Sequence, residues 1–392
     1  MSHVIGYKCG RCGALHQGRV PHSTCRSCNG SLLAVYDIEA VKNVIDKETL
    51  ARRPPAMWKY FELLPVINMD NVISLGEGYT PMVKLSNISE WIGLKNTYLK
   101  DESRNPTATF KDRPVSVTVS VLKELGVRSV AMPSAGNAGS ALTAYGAKAG
   151  LEVHVAMPSD TPKAIYAESL VHGAEVILVN GLITDAAKVV ADGVSRHGWL
   201  DVSTMKVPYR VEGTKTMGYE IAEQMSWDPP DVVVFPTGGG EGLVGLWKGF
   251  KELVELGWIN SMPRLVAVQS KGCRPIVEAY VKGEDRVKFF EGCDTIASGI
   301  RVPKPFADVE IMNAIRECQG VAIDVSEEEI VKSVRELAVA EGILACPEGA
   351  AAYAAVKKLI DLKLVDRDEK VVLVNTGSGL KYFELLFKIL NI

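Results

Sequence analysis

The sequence has almost no net charge. Its 44 lysines and arginines face 47 aspartates and glutamates, for a formal value of −3. A chain so balanced is not, as a whole, a nucleic-acid binder. It has no apolar run approaching the length of a membrane span, and its N-terminus lacks the basic-then-apolar layout of a signal peptide. A cytoplasmic protein is therefore expected. Cysteine is scarce, with 8 in 392 residues, which excludes a disulfide scaffold. Cys273, Cys293, Cys318 and Cys346 are scattered and read as buried thiols. No internal repeat and no low-complexity segment is present. What is there is an ordinary globular composition, 47% apolar and 23% charged. The length suits two or three domains and a large core.

The other four cysteines cluster at the start. Cys9-Gly10-Arg11-Cys12 and Cys25-Arg26-Ser27-Cys28 are two C-x-x-C knuckles. Each brings two thiols to one side of a tight turn, and two knuckles complete a tetrahedron for structural zinc. A unit of residues 1–35 can scarcely bury a core of its own, so metal would supply its folding energy. Its four basic residues, Lys8, Arg11, Arg19 and Arg26, are half offset by a four-thiolate zinc centre, which weakens any nucleic-acid role. Residues 36–75 read as a linker or extension with short helices, Ile38 to Val44 and Trp58 to Leu64. Phe61, Leu63, Leu64 and Val66 would fasten it to the body.

Beyond Gly76-Glu77-Gly78-Tyr79-Thr80-Pro81, which alone is only a turn, strand and helix patterns alternate. Strands are expected at 97–100, 129–132, 152–156, 175–178, 232–235, 265–269 and 370–374. Helices are expected at 138–148, 164–172, 184–195 and 214–225. That alternation argues a parallel α/β sheet with helices on both faces. Ligands in such sheets sit at the C-terminal ends of strands.

Four stretches fall at such ends. The first is Asn105-Pro106-Thr107-Ala108-Thr109-Phe110-Lys111-Asp112-Arg113. A lysine at the mouth of a helix meets an already positive helix end. Two readings are open: an exposed lysine paired with Asp112, or an amine held as a covalent imine that captures carbonyls. The second is Ser134-Ala135-Gly136-Asn137-Ala138-Gly139, where small residues let backbone amides face an anion and Asn137 can donate to a phenolate-like oxygen. The third is Thr237-Gly238-Gly239-Gly240-Glu241-Gly242, a phosphate cradle of bare amides. Gly240, Gly242 and Gly245 also satisfy a dinucleotide fingerprint, but the next strand ends in Gln269-Ser270, without the acid a ribose needs. Glu241 is expected to point away from the phosphate. The fourth is Asn375-Thr376-Gly377-Ser378-Gly379-Leu380-Lys381.

In this order the motifs resemble those of the fold-type II pyridoxal phosphate enzymes, and most closely the threonine synthases, over about residues 75–382. The resemblance implies a tryptophan synthase β-like fold of two parallel-sheet α/β domains with the cofactor in the cleft, preceded by a zinc ribbon. The large domain would take 76–114 and 210–392, the small one 115–209. It implies that Lys111 carries pyridoxal 5'-phosphate, that Asn137 bonds its ring oxygen, that Gly238 to Gly242 hold its phosphate, and that Thr376 meets the ring nitrogen. A neutral hydroxyl there suits elimination and replacement over transamination. The implied reaction converts O-phospho-L-homoserine and water to L-threonine and phosphate. Arg113, Ser134, Lys163, Arg210 and Arg301 are the candidates for the substrate's anionic groups. A small-molecule amino-acid substrate and a homodimer are expected. Two departures bear on the substrate. Val207 stands where the family often has asparagine, and Cys346-Pro347 stands for the usual Glu-Pro, with Glu348 just after. A threonine or serine deaminase, or a β-replacing synthase such as cysteate synthase, is the alternative. A nucleic-acid-binding module on an inactive scaffold is the alternative from another class.

Overall fold

Val232–Pro236 is apolar and buried at every position, the pattern of a strand covered on both faces. It is central to a six-stranded sheet ordered Val321–Val325, Arg264–Ser270, Val232–Pro236, Lys370–Asn375, Asn96–Asp101 and Met82–Lys84. The first five strands are parallel, and Met82–Lys84 closes one edge antiparallel. The computed structural model describes residues 1–390. This sheet belongs to one of two compact units, formed by Thr80–Arg104, Ala108–Phe110 and the described chain from Met217 onward. The Pro347–Asp361 helix packs its alanine-rich face, Ala350 to Ala352, into the core of that unit. Pro347 at its first turn needs no hydrogen-bonded N–H.

The other unit comprises Met1–Tyr79, Asn105–Thr107 and Lys111–Thr216. Its four-stranded parallel sheet runs Glu175–Val179, Glu152–Pro158, Ser129–Pro133, Leu200–Asp201. The helices Asp112–Glu124 and Asn137–Ala149 pack together within it. The cysteine-bearing N-terminal segment groups by its contacts with this unit. Its three antiparallel strands, Leu15–His16, Val4–Cys9 and Leu32–Tyr36, are tied down by one buried carboxylate. Glu212 accepts from Ala34 N (3.2 Å) and Tyr36 Oη (3.0 Å) and pairs with Lys215 (2.6 Å). Tyr209 Oη accepts from His22 N at 2.8 Å.

The expected α/β alternation holds, with each expected strand present and extended by one or two residues. The strands Val321–Val325, Met82–Lys84 and Leu200–Asp201 were not foreseen. One expectation is corrected. Cys273 and Cys293 are joined in a disulfide rather than being separate thiols. The turn Ser270 to Cys273 and the bond from Asp294 N to Gly272 O bring the two backbones alongside, a pairing over twenty residues that spacing alone does not announce. Among the described residues, no helix is long and apolar enough to cross a membrane.

Candidate functional site

Ala108–Phe110, just before Lys111, belongs to the second unit and is held there by backbone. Phe110 N donates to Thr376 O (3.0 Å), and Ser378 N donates to Ala108 O (3.0 Å). Thr109 Oγ1 adds a bond to Thr376 O (3.1 Å). Ala108 is thereby held at φ 57°, a conformation that costs a non-glycine residue and is found where function over-determines the backbone. Lys111 is the next residue after Phe110 and stands at the start of the Asp112–Glu124 helix, half-buried. Asp112 is fully buried, and its carboxylate takes Thr107 N (2.7 Å) and Thr107 Oγ1. That engagement shapes the turn.

Asn137 opens the Asn137–Ala149 helix. The loop before it is shaped by Ser134, whose Oγ accepts from Gly139 N (2.9 Å) and Gly136 N (3.3 Å) and donates to Gly136 O (2.9 Å). The helices that follow Lys111 and Asn137 share one brace, Glu77. Five donor groups lie within hydrogen-bonding distance of its carboxylate: Trp58 Nε1 (2.8 Å), Ser116 Oγ (2.6 Å), Ser74 Oγ (3.1 Å), Leu75 N (2.9 Å) and Tyr145 Oη (2.8 Å). Ser116 lies on the first helix and Tyr145 on the second. Burial, then the charges of Asp112 and Glu77, push the Tyr145 phenol far up. The sequence showed Glu77 only as part of a turn. Its signal was an acid between two glycines, one of which, Gly78, sits at φ 87° with no room for a side chain against Met57.

In the second unit the glycine loop follows Val232–Pro236. Gly240 begins the Glu241–Glu255 helix at φ 86°, with no side chain capping it, so that backbone N–H groups of the first turn are offered to an outside acceptor. The loop is packed from behind. A Cβ on Gly238 would fall 2.8 Å from Ile300 Cα, one on Gly240 2.2 Å from Ile311 Cδ1, and one on Gly242 2.0 Å from Phe235 Cζ. Glu241 is buried. Thr376, also buried, follows Lys370–Asn375 and lies with Oγ1 3.4 Å from Cys346 Sγ. Cys346 caps the Pro347–Asp361 helix by accepting from Gly349 N (3.3 Å). Burial pushes its thiol well up.

Four of the substrate candidates lie in the first unit and Arg301 lies in the second. Arg113 and Arg210 are wholly buried in the first unit, the former donating to Thr216 Oγ1 (3.1 Å), the latter to Val202 O (3.3 Å). Lys163 is exposed at the start of Lys163–Val171. Arg301 is half-buried in the second unit, after Ser298–Ile300. Ser134 is engaged in its own loop as described.

The four ribbon sulfurs lie within 4.8 Å of one another, with Cys9 to Cys28 at 3.5 Å and Cys12 to Cys25 at 3.6 Å. Tetrahedral zinc with Zn–S near 2.3 Å needs sulfurs about 3.8 Å apart, so the donor set fits that ion. His16 Nε2 stands 3.3 Å from Cys25 Sγ, a neighbour the knuckle spacing does not reveal. Burial raises the Cys25 thiol, but Ser27 N–H, His16 and Cys28 N–H outweigh it and bring it to about 5.

Residues 73–377 match the family described as pyridoxal-phosphate dependent enzyme. The chain is 39% identical over 375 residues to the threonine synthase of Methanosarcina acetivorans, covering 95% of this chain and 91% of that one. It is 36% identical over the same length to that of Methanocaldococcus jannaschii, covering 95% and 92%. Among solved structures, diaminopropionate ammonia lyase of Escherichia coli superposes with a TM-score of 0.70 at 18% identity, covering 83% and 92%. Threonine deaminase isoform 2 of Solanum lycopersicum does so with 0.68 at 19%, covering 86% and 95%. At those identities the likeness is one of fold.

Proposed function

The chain belongs to the pyridoxal-phosphate dependent enzymes, and we propose that within them it is a threonine synthase, converting O-phospho-L-homoserine and water to L-threonine and phosphate. The observation that carries this reading is similarity along 95% of the chain to relatives of that activity. Pyridoxal phosphate supplies an aldehyde that captures the substrate amine and a ring that takes up electrons when a proton leaves. The residues present fit that group: a lysine behind an over-determined turn, an uncapped helix start behind a glycine loop, and a buried hydroxyl at a strand end.

Lys111 would hold the cofactor's aldehyde carbon through Nζ and, once displaced by substrate, move the α proton. Asn137 would donate to the ring oxygen. Backbone N–H groups of Gly238, Gly239, Gly240, Glu241 and Gly242 would hold the cofactor phosphate, and Thr376 would meet the ring nitrogen. Arg113, Ser134, Lys163, Arg210 and Arg301 stay the candidates for the substrate's anionic groups. The burial of Arg113 and Arg210 favours a part for these two in shaping the first unit.

Cys9, Cys12, Cys25 and Cys28 would hold structural zinc. The bonds through Glu212, Lys215 and Tyr209 would carry its loss to the Tyr209–Gln224 helix. A homodimer in the cytoplasm belongs to the same proposal and is tested by sedimentation and fractionation. The activity is tested by incubating purified protein with O-phosphohomoserine and, separately, with threonine. Phosphate and threonine are expected in the first. Oxobutyrate from threonine, without phosphate release in the first, would replace this reading with a deaminase.

A further inference from the structure

A second polar cluster lies in the same unit as Thr376 and belongs to none of the motifs above. Glu348 sits in the first turn of Pro347–Asp361, buried at 4% exposure. Its Oε1 accepts from Gly299 N (2.7 Å) and from Tyr382 Oη (3.2 Å). Its Oε2 is buried without a partner, and so is Ser298 Oγ next to Gly299. A Cβ on Gly299 would fall 2.9 Å from Glu348 Oε1, so the loop Ser298–Ile300 lies close against the acid.

A buried carboxylate with one idle oxygen is expensive, whereas a carboxylic acid with the proton on that oxygen is far less so. The helix start, the acid's own N–H, Gly299 N–H, the Cys346 thiol and the Tyr382 hydroxyl favour the ionised form, but burial outweighs them. The groups that face it are Cys346 at the cap of its own helix, Tyr382 beyond the last strand, and the backbone of Gly299; no cation is among its principal influences. Burial, the largest of them, raises the Glu348 carboxyl. Burial and then Glu348 raise the Tyr382 phenol as well.

Cys346 joins this cluster to Thr376. Its Sγ lies 3.4 Å from Thr376 Oγ1 and 3.7 Å from Asn375 Oδ1, and Asn375 is itself held by Asp101 (2.9 Å). We infer that Glu348 is a positioning residue for Thr376, an uncharged acid acting through Cys346 to keep the ring nitrogen of bound pyridoxal phosphate unprotonated. The inference rests on the proposed placement of Thr376 at that nitrogen. The physical reason is simple. A negative charge buried behind Thr376 would favour the protonated ring, because opposite charges attract strongly where water is excluded. A neutral acid leaves the hydroxyl free to donate.

The test uses holoenzyme with bound pyridoxal phosphate and reads two signals. Infrared difference spectra of wild type against Glu348→Gln at pH 7.5 should show the carbonyl stretch of a protonated carboxylic acid in wild type only. An ionised carboxylate band there overturns the inference, and this arm needs no destabilised variant. The second signal is cofactor absorbance titrated with pH in wild type, Glu348→Gln, Glu348→Ala, Cys346→Ala and Thr376→Val. Glu348→Gln should titrate as wild type. Glu348→Ala and Cys346→Ala should each move the spectral midpoint by roughly half a pH unit or more, and Thr376→Val further. If Glu348→Gln moves as far as Glu348→Ala, the side chain acts by charge and the inference fails. If Thr376→Val moves the midpoint and Glu348→Ala does not, the inference fails and the placement of Thr376 stands. If neither moves it, that placement falls and the inference with it.

Discussion

Glu77 in the first unit and Glu348 in the second are both buried carboxyls, yet their surroundings differ. Five donor groups surround Glu77. Two reach Glu348, and one of its oxygens has none. Burial alone does not decide what a carboxyl does; the supply of donors does. The first acid holds two helices together, and the second is a place where hydrogen-bonding capacity is left over.

The contrast can be broken most severely at Glu77. Glu77→Gln turns an amide N–H₂ toward groups that themselves donate, and should cost about 3 kcal/mol or more of unfolding free energy, measured by urea denaturation. Tyr145→Phe removes one donor of the five and should cost about 1–2 kcal/mol. Equal losses in the two variants would mean that the brace is not centred on Glu77. Glu348→Gln should cost little near neutral pH, and its effect should depend on pH with a defined sign. The ordinary carboxyl value is 4.5 and burial raises the folded one, so the unfolded chain gives up this proton at a lower pH than the folded protein does. Wild type then loses stability as pH rises above 4.5 toward the folded value, and Glu348→Gln does not. Melting temperatures at pH 5 and pH 8 should therefore shift in favour of the glutamine variant; a shift toward wild type would show an ionised Glu348. Ser298→Ala should be smallest, within about 0.5 kcal/mol, since Ser298 Oγ makes no well-formed hydrogen bond and has only a weak influence on the Tyr382 hydroxyl.

The same contrast marks what could be read from the sequence. Lys111, Asn137 and the glycine loop were visible because each lies where a strand pattern gives way to a helix pattern, and local chemistry points the same way. The shape of the Ser134 loop is likewise local, made by one hydroxyl and two amides within five residues. The glycine loop shows the limit. Its glycines could be read as a cradle, but Ile300 and Ile311, which forbid side chains at Gly238 and Gly240, arrive from segments whose packing no periodicity announces. Glu77 was hidden for that reason, since its donors span positions 58 to 145. Glu348 was noticed only as standing two places after an expected acid. The Cys273–Cys293 bond was missed because the turn that aligns them ends a strand whose neighbours are set by the sheet. The substrate-anion residues are the least legible, because arginine serves as readily inside a fold as on a ligand, as Arg113 and Arg210 illustrate.

The central claim is that the amine of Lys111 bears the cofactor. Holoenzyme reduced with borohydride, digested and read by tandem mass spectrometry should carry the phosphopyridoxyl mass on the peptide containing Lys111 and on that residue. Its visible absorbance should vanish in Lys111→Ala, with turnover falling roughly 10³-fold or more. The label on a different lysine, or a Lys111→Ala protein that keeps the wild-type spectrum, would contradict the account.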